Sequence, residues 1–333
     1  MKTKTHGTIE RIMAGLLAGG SLLFVSGCNH VANSSPTVTS AQTSAQAPGA
    51  PGQGQPVFDS DDQVVTALLA AVKAQDHEQV HHLLGPARKE LVSGDKVEDA
   101  NAFKEFADRA AEHMRLEKHA GGASILHVGK DDWPFPIPIA RTPGGKWFLD
   151  TEEGKEEILA RRIGKNELEA IKICRIYVDA QREYASKPRD DTDVLKYAER
   201  ILSTPGKMDG LYWSVPAGGQ QSPFGRLIAQ EKLEGYQPAP GQHERYHGYR
   251  FRVLKQQGAA APGGKYSYVI NGNMVAGFAL IAYPVEYESS GIMTFIVNQR
   301  GKVFQKDMGA NTPEIARHVA EYNPDSSWKL VKD

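Results

Sequence analysis

The chain has 333 residues, with 39 Lys and Arg against 40 Asp and Glu, a formal net charge of −1. That near-balance is no electrostatic footprint for nucleic acid. The only two cysteines are Cys28 and Cys174, so the fold must rest on its core rather than on a disulfide framework.

The first 28 residues read as a targeting segment. Lys2, Lys4 and Arg11 precede an apolar run over residues 12–25, which is of signal-peptide length and too short and Gly-rich for a membrane span. The run ends in Val25-Ser26-Gly27-Cys28, which resembles a bacterial lipobox. That resemblance implies cleavage before Cys28 and lipidation of its side chain. Asn29 follows instead of the aspartate of inner-membrane retention, which points to the outer membrane. Cleavage removes Lys2, Lys4, Arg11 and Glu10, leaving 36 basic against 39 acidic residues, a net charge of −3. It also leaves Cys174 without an intramolecular partner. Residues 29–56 carry no formal charge and no aromatic side chain, and they are rich in Ser, Thr, Ala, Gln, Pro and Gly. They are expected to form a flexible tether with a reach of roughly 30 Å. The expected partners are the membrane, through the lipid anchor, and an envelope protein or cell-wall component. Nucleic acid is excluded, and no cofactor is expected.

The remaining body exceeds the usual size of a single core. The sequence predicts an α+β fold in two subdomains, residues 57–152 and 153–333, the second beginning with a helical connector. Ser60-Asp-Asp-Gln63 is a capping box ahead of Val64, Val65, Leu68, Leu69 and Val72 at helical spacing. Asp76 caps a second helix with Val80, Leu83 and Leu84 inside, stopped by Gly85-Pro86. A third helix carries Phe103, Phe106, Ala107, Ala110 and Met114 on one stripe. Short strands follow in "MRLEKH", "ASILHV", "DDWPFPIPI" and "KWFLD". Three helices and a curled sheet resemble an NTF2-like cone.

In "DDWPFPIPI" the prolines at 134, 136 and 138 delete donors along one strand edge only, while Trp133, Phe135, Ile137 and Ile139 face the core. The pattern predicts an edge strand sealed against further pairing. An exposed polyproline ligand is the alternative.

After Thr151 the chain turns helical. Residues 156–163 form one helix, Gly164 breaks it, and Asn166-Glu-Leu-Glu169 caps another with Leu168, Ile171, Cys174 and Val178 on one face. Cys174 reads as a buried small hydrophobe. Asp191-Thr192 caps a further helix ending near Ser203-Thr-Pro-Gly206. From Tyr246 the pattern is β: "GYRFRVL", a hairpin at Asn271-Gly272, a doubly buried strand around residues 278–283, and a hairpin turning near Arg300-Gly301. Thr312-Pro313-Glu314 starts a closing helix with Ile315, Val319 and Tyr322 inside.

"DDWPFPIP", "GKWFLDTEEGKEEILARRIGKNELEAI", "YVDAQREYA", "LSTPGKMDGLYW" and "SGIMTFIVNQRGKVFQKDMG" together resemble bacterial domain-of-unknown-function family 2950, from about Phe58 to the C-terminus. The resemblance implies an envelope protein with a lipoprotein-type signal and carries over no functional residue. The second half also looks like the soluble head of type IV pilin-like and pseudopilin-like proteins, without a prepilin cleavage signal.

Three constellations remain for chemistry. His77 and His81, with Glu78 and His82 beside them, have zinc-ligand spacing, but the apolar side of that helix puts them on the solvated face. Asp190, Asp191 and Asp193 have calcium-binding character but lack the glycine and distal glutamate of an EF-hand loop, and helix capping accounts for them. His127, Asp131 and Asp132 lie where an NTF2-like cone opens its pocket, and a His with a carboxylate there is suited to acid–base work. A non-catalytic binding or assembly module is therefore the leading expectation. A periplasmic hydrolase using His127 and Asp132 is the alternative.

Overall fold

Ser60 accepts the Gln63 N–H at 3.2 Å, and Gln63 Oε1 accepts the Asp59 N–H at 3.0 Å, so the predicted box opens α1 (Asp61–Lys73) one residue wider than its usual form. Asp76 likewise caps α2 (His77–Leu84), and Asp95 caps α3 (Lys96–Glu112). The structure is a computed structural model, and its described residues are 49–119, 122–189, 193–215, 219–236 and 246–332. These residues lie in one compact unit spanning Ala45–Asp333. Cys28 lies outside them.

Met114 does not continue α3. His113 is fully extended (φ −161°, ψ 149°), and the chain enters β1 (Met114–Lys118) at once. β1 pairs antiparallel with β2 (Ser124–Val128), which also pairs with β3 (Trp133–Pro134) and β4 (Ile139–Arg141); β4 pairs with β5 (Trp147–Leu149). On β2, Leu126 and Val128 face a core with Val64, Leu68, Ile139 and Leu149.

The proline stretch corrects one expectation. It is not a single edge strand. Phe135 N–H donates to Leu126 O at 2.7 Å, on the side that the prolines leave intact. The chain then leaves the ladder through residues 135–138 and returns as β4, between β2 and β5. Three prolines remove too many donors for an unbroken inner strand. The outer side is closed by a helix instead: Arg161 Nη1 donates to Pro134 O, and a Cβ on Gly154 would stand 2.8 Å from Ile137 Cα. The apolar residues do reach the core, where Ile137 and Ile139 are buried and Trp133 and Phe135 half-buried.

The second correction is α4 (Thr151–Ala185), one helix of 35 residues running straight through Gly164. A helical glycine costs only about 1 kcal/mol relative to Ala, and packing at both ends outweighs it. Asn166 is not a cap; it is buried, and its Nδ2 donates to Ser290 O at 3.0 Å. The early turns of α4 bring Ile158 to the first core, while Ile173, Cys174, Tyr177 and Val178 belong to a second. Burial pushes the Cys174 thiol up to about 12, as expected of a small core residue.

No helix forms over residues 193–203. There, buried Gln181 accepts the Ala198 N–H and donates to its carbonyl, both at 2.8 Å, so extended backbone is satisfied without helix formation. The helix that does form, α5 (Gly225–Leu233), carries no capping signal.

Beyond it lie β6 (Tyr249–Leu254), β7 (Gln256–Gln257), β8 (Tyr266–Ser267), β9 (Val269–Ile270), β10 (Asn273–Met274), β11 (Ala279–Pro284), β12 (Met293–Asn298), β13 (Phe304–Asp307), α6 (Thr312–His318) and β14 (Lys329–Leu330). The main sheet has the order β14-β13-β12-β11-β6 and is antiparallel throughout, with β11 buried at all six residues. β9 and β10 turn on Asn271 (φ 51°) and Gly272 (φ 77°), as their sequence requires. α6 buries Thr312 and Ala316 and leaves Ile315 exposed; at its end Arg252 Nη2 donates to the Ala316 and Val319 carbonyls, and Tyr322 is buried beyond the helix.

Residues 49–56, expected to belong to the flexible tether, are held instead. Gln55 Nε2 donates to Leu83 O and Leu149 O, and Gly49 N–H donates to Asp150, fixing residues 49–56 to the body.

Candidate functional site

His127, Asp131 and Asp132 come together, but on the solvent face of the first sheet, opposite Leu126 and Val128. His127 Nδ1 lies 3.0 Å from the Asp132 carbonyl, and its Nε2 lies 3.3 Å from Glu117 Oε2. Arg115 grips Asp132 through Nε and Nη2 at 3.2 and 2.6 Å and reaches Glu117 at 2.9 Å. Arg109 Nη1 donates to both oxygens of Asp131, at 2.7 and 2.8 Å. These guanidiniums hold the Asp131, Asp132 and Glu117 carboxyls below their ordinary range. Carboxylates kept ionised in this way suit an ion-pair ladder, not proton donation.

The α2 histidines are engaged separately. The His77 ring packs 4.4 Å from that of Phe103, His82 Nε2 lies 3.0 Å from Gly54 O, and His81 lies 3.9 Å from exposed Glu78. Among the described residues no group of three or more His, Cys, Asp or Glu is placed to hold a metal ion. Asp193 is exposed, and Asp190 and Asp191 lie outside the described residues.

An aromatic-floored groove of about 270 Å³ lies between α3, the proline stretch and α4. Its floor is Phe106 against Phe135, ring centroids 4.8 Å apart, with Trp133 beside them. Arg109 and Arg161 stand 5.7 and 4.7 Å from the Trp133 ring centre, a double cation–π contact. The rim carries Arg162 and Lys165 on one side and Glu98 and Asp99 on the other. Glu98 is only 9% exposed, and desolvation raises its carboxyl above the usual range against the opposing field of Arg162. A broader, shallower depression of about 600 Å³ shares Arg109 with the groove but is lined by solvated charges such as Lys104, Asp108 and Lys130. An apolar concavity with convergent charges and a shifted titratable group is the stronger ligand site.

A second cluster stands at the end of α3. Tyr236 Oη donates to Asp95 Oδ2 at 3.1 Å, and Asn101 Nδ2 donates to Glu234 O at 2.9 Å. Glu234 also accepts from Tyr246 Oη at 2.9 Å and lies 3.1 Å from His247 Nε2. His247 sits at φ 45°, and burial lowers its pKa although Glu234 pulls the other way. Nearby Glu231 is raised to about 7, by burial first and by Glu234 second. Sequence reasoning missed Glu98, Glu231 and His247.

The molecule is an α+β body with two cores threaded by one long helix, and a charged groove lies where that helix meets the first core. The chain belongs to the family described as protein of unknown function (DUF2950), which it matches over residues 55–331. No curated protein and no solved structure matches it. Among the described residues no helix is long and apolar enough to cross a membrane.

Proposed function

We propose that the protein is an envelope lipoprotein, anchored through Cys28 and facing the periplasm from the outer membrane, that works as a binding module for a peptide or cell-wall component. The anchor reading rests on the apolar run ending in Val25-Ser26-Gly27-Cys28 and on the charge-free segment after it. Fatty-acid-analogue labelling should mark the wild type and not Cys28→Ala; equal labelling of both refutes the anchor.

The binding reading rests on one observation, the groove floored by Phe106, Trp133 and Phe135 and rimmed by both signs of charge. The alternative, a hydrolase working by acid–base chemistry at His127 and Asp132, needs a group free to move a proton. His127 and Asp132 are instead tied into arginine and glutamate contacts outside this groove. Tryptophan emission should therefore respond saturably to a soluble muramidase digest of peptidoglycan. Ala102→Tyr, at an exposed α3 position on the groove, should abolish the response. A response that Ala102→Tyr leaves intact removes the groove as the binding site.

A further inference from the structure

Glu98 occupies the third position of α3, where a glutamate ordinarily reaches back to the N–H of the capping residue. Here that N–H is already taken, because Asp95 N donates to Ser93 Oγ at 3.0 Å. The Glu98 side chain is released from the helix end and lines the groove, buried, with charges acting on it only through space. On the opposite wall, Arg162 donates one Nη to Leu91 O, while its other, Nη1, is buried and has no partner among the described residues. The two charges are near enough to influence titration and yet form no ion pair.

Buried polar groups are nearly always hydrogen-bonded, so a groove whose lining residues include a carboxylate without an ion-pair partner, Glu98, and a guanidinium with an unfilled donor, Arg162, carries a cue to what should occupy it. We infer that the groove recognises a peptide-type ligand, which presents an N–H or ammonium to Glu98 and a carbonyl or carboxylate oxygen to Arg162, with an apolar side chain over Phe106 and Phe135. The inference rests on the reading of the groove as a ligand site. A sugar would offer hydroxyls but would want an open aromatic face, and the Trp133 ring is already engaged by Arg109 and Arg161. The volume, just under the roughly 300–1,000 Å³ of drug-sized pockets, suits one or two residues of a chain rather than a large ligand.

Titration calorimetry on the full chain separates the outcomes with three probes: Ala-Phe-Ala, its N-acetylated and C-amidated form, and indole as an apolar probe. The wild type should bind Ala-Phe-Ala more tightly than indole. Glu98→Gln keeps the shape and loses the charge; it should weaken Ala-Phe-Ala at least tenfold, leave indole unchanged, and raise the thermal midpoint by relieving a buried carboxylate whose desolvation the field of Arg162 offsets only in part. Equal binding of the blocked peptide identifies the internal amide as the recognised unit, and binding of the free form alone identifies the termini; either supports the inference. Indole binding without preference for peptide, or Glu98→Gln with unchanged peptide affinity, overturns the inference and leaves the groove reading standing. Failure of all three probes overturns both. A lowered midpoint in Glu98→Gln would make Glu98 a structural residue.

Discussion

On the outer face of the first sheet, Asp131, Asp132 and Glu117 each meet a guanidinium and are held below the ordinary carboxylate range. Around the ends of α3 and α5, Glu98 and Glu231 are buried and raised above it. The two histidine–carboxylate pairs divide in the same way. His127 lies among solvated ion pairs, whereas His247 is 9% exposed beside Glu234, with its Nδ1 unpartnered among the described residues. A charge that meets its complement at the surface is electrostatically satisfied and contributes little else. A carboxylate such as Glu98, withdrawn from water with no ion-pair partner among the described residues, is unstable until something completes it, and such groups mark functional sites more often than well-paired ones do.

The largest effect expected from this contrast is at Glu231. Its folded pKa of about 7 is above the ordinary 4.5, so its contribution to stability is complete below pH 4.5 and is lost as pH rises through 7. His247 has the opposite sign: its pKa is lowered by burial, so its contribution is present above pH 6.5 and is lost as pH falls through the folded value. Glu231→Gln should therefore stabilise the protein at pH 8, by up to about 3 kcal/mol at 1.36 kcal/mol per pKa unit, and should change little at pH 4.5. The acid-side loss should persist. Urea melts of both proteins from pH 4.5 to 8.5 measure the difference. A pH-independent effect would show that Glu231 is not held protonated in the folded protein.

The same contrast explains what could be read in advance. Caps and apolar spacing are local, and α1, α2, the Asn271-Gly272 turn and the doubly buried β11 follow from them. α4 defeated the reading because the penalty at Gly164 is local while the packing that overrides it lies at both ends of the helix. The His127–Asp132 proximity was legible because they stand only five positions apart. The Tyr236–Asp95 bond joins residues 141 apart in sequence, and no local pattern announces such a contact. Glu98 is the instructive case. It looks like an ordinary capping glutamate, and the cue that it is not lies in Ser93, two residues before the cap, which takes the N–H that Glu98 would have used.

The smallest effect is expected where the sequence drew most attention. Asp132→Asn removes a bidentate arginine partner from the sheet face, with both side chains nearly half exposed. Exposed pairs of this kind contribute little, because water screens them and ordering two long side chains offsets the attraction. The melting midpoint should move less than in any variant above, and 1 M salt should erase the difference by shortening the screening length to about 3 Å. Peptide binding should be untouched, since Asp132 does not line the groove. The neighbouring Asp131→Asn sharpens the test: Asp131 orients Arg109, and Arg109 stacks on Trp133, so this variant should perturb ligand-induced tryptophan emission even though its stability barely changes. If Asp132→Asn instead abolished binding while Asp131→Asn did not, the outer face, and not the groove, would be the working surface of the protein.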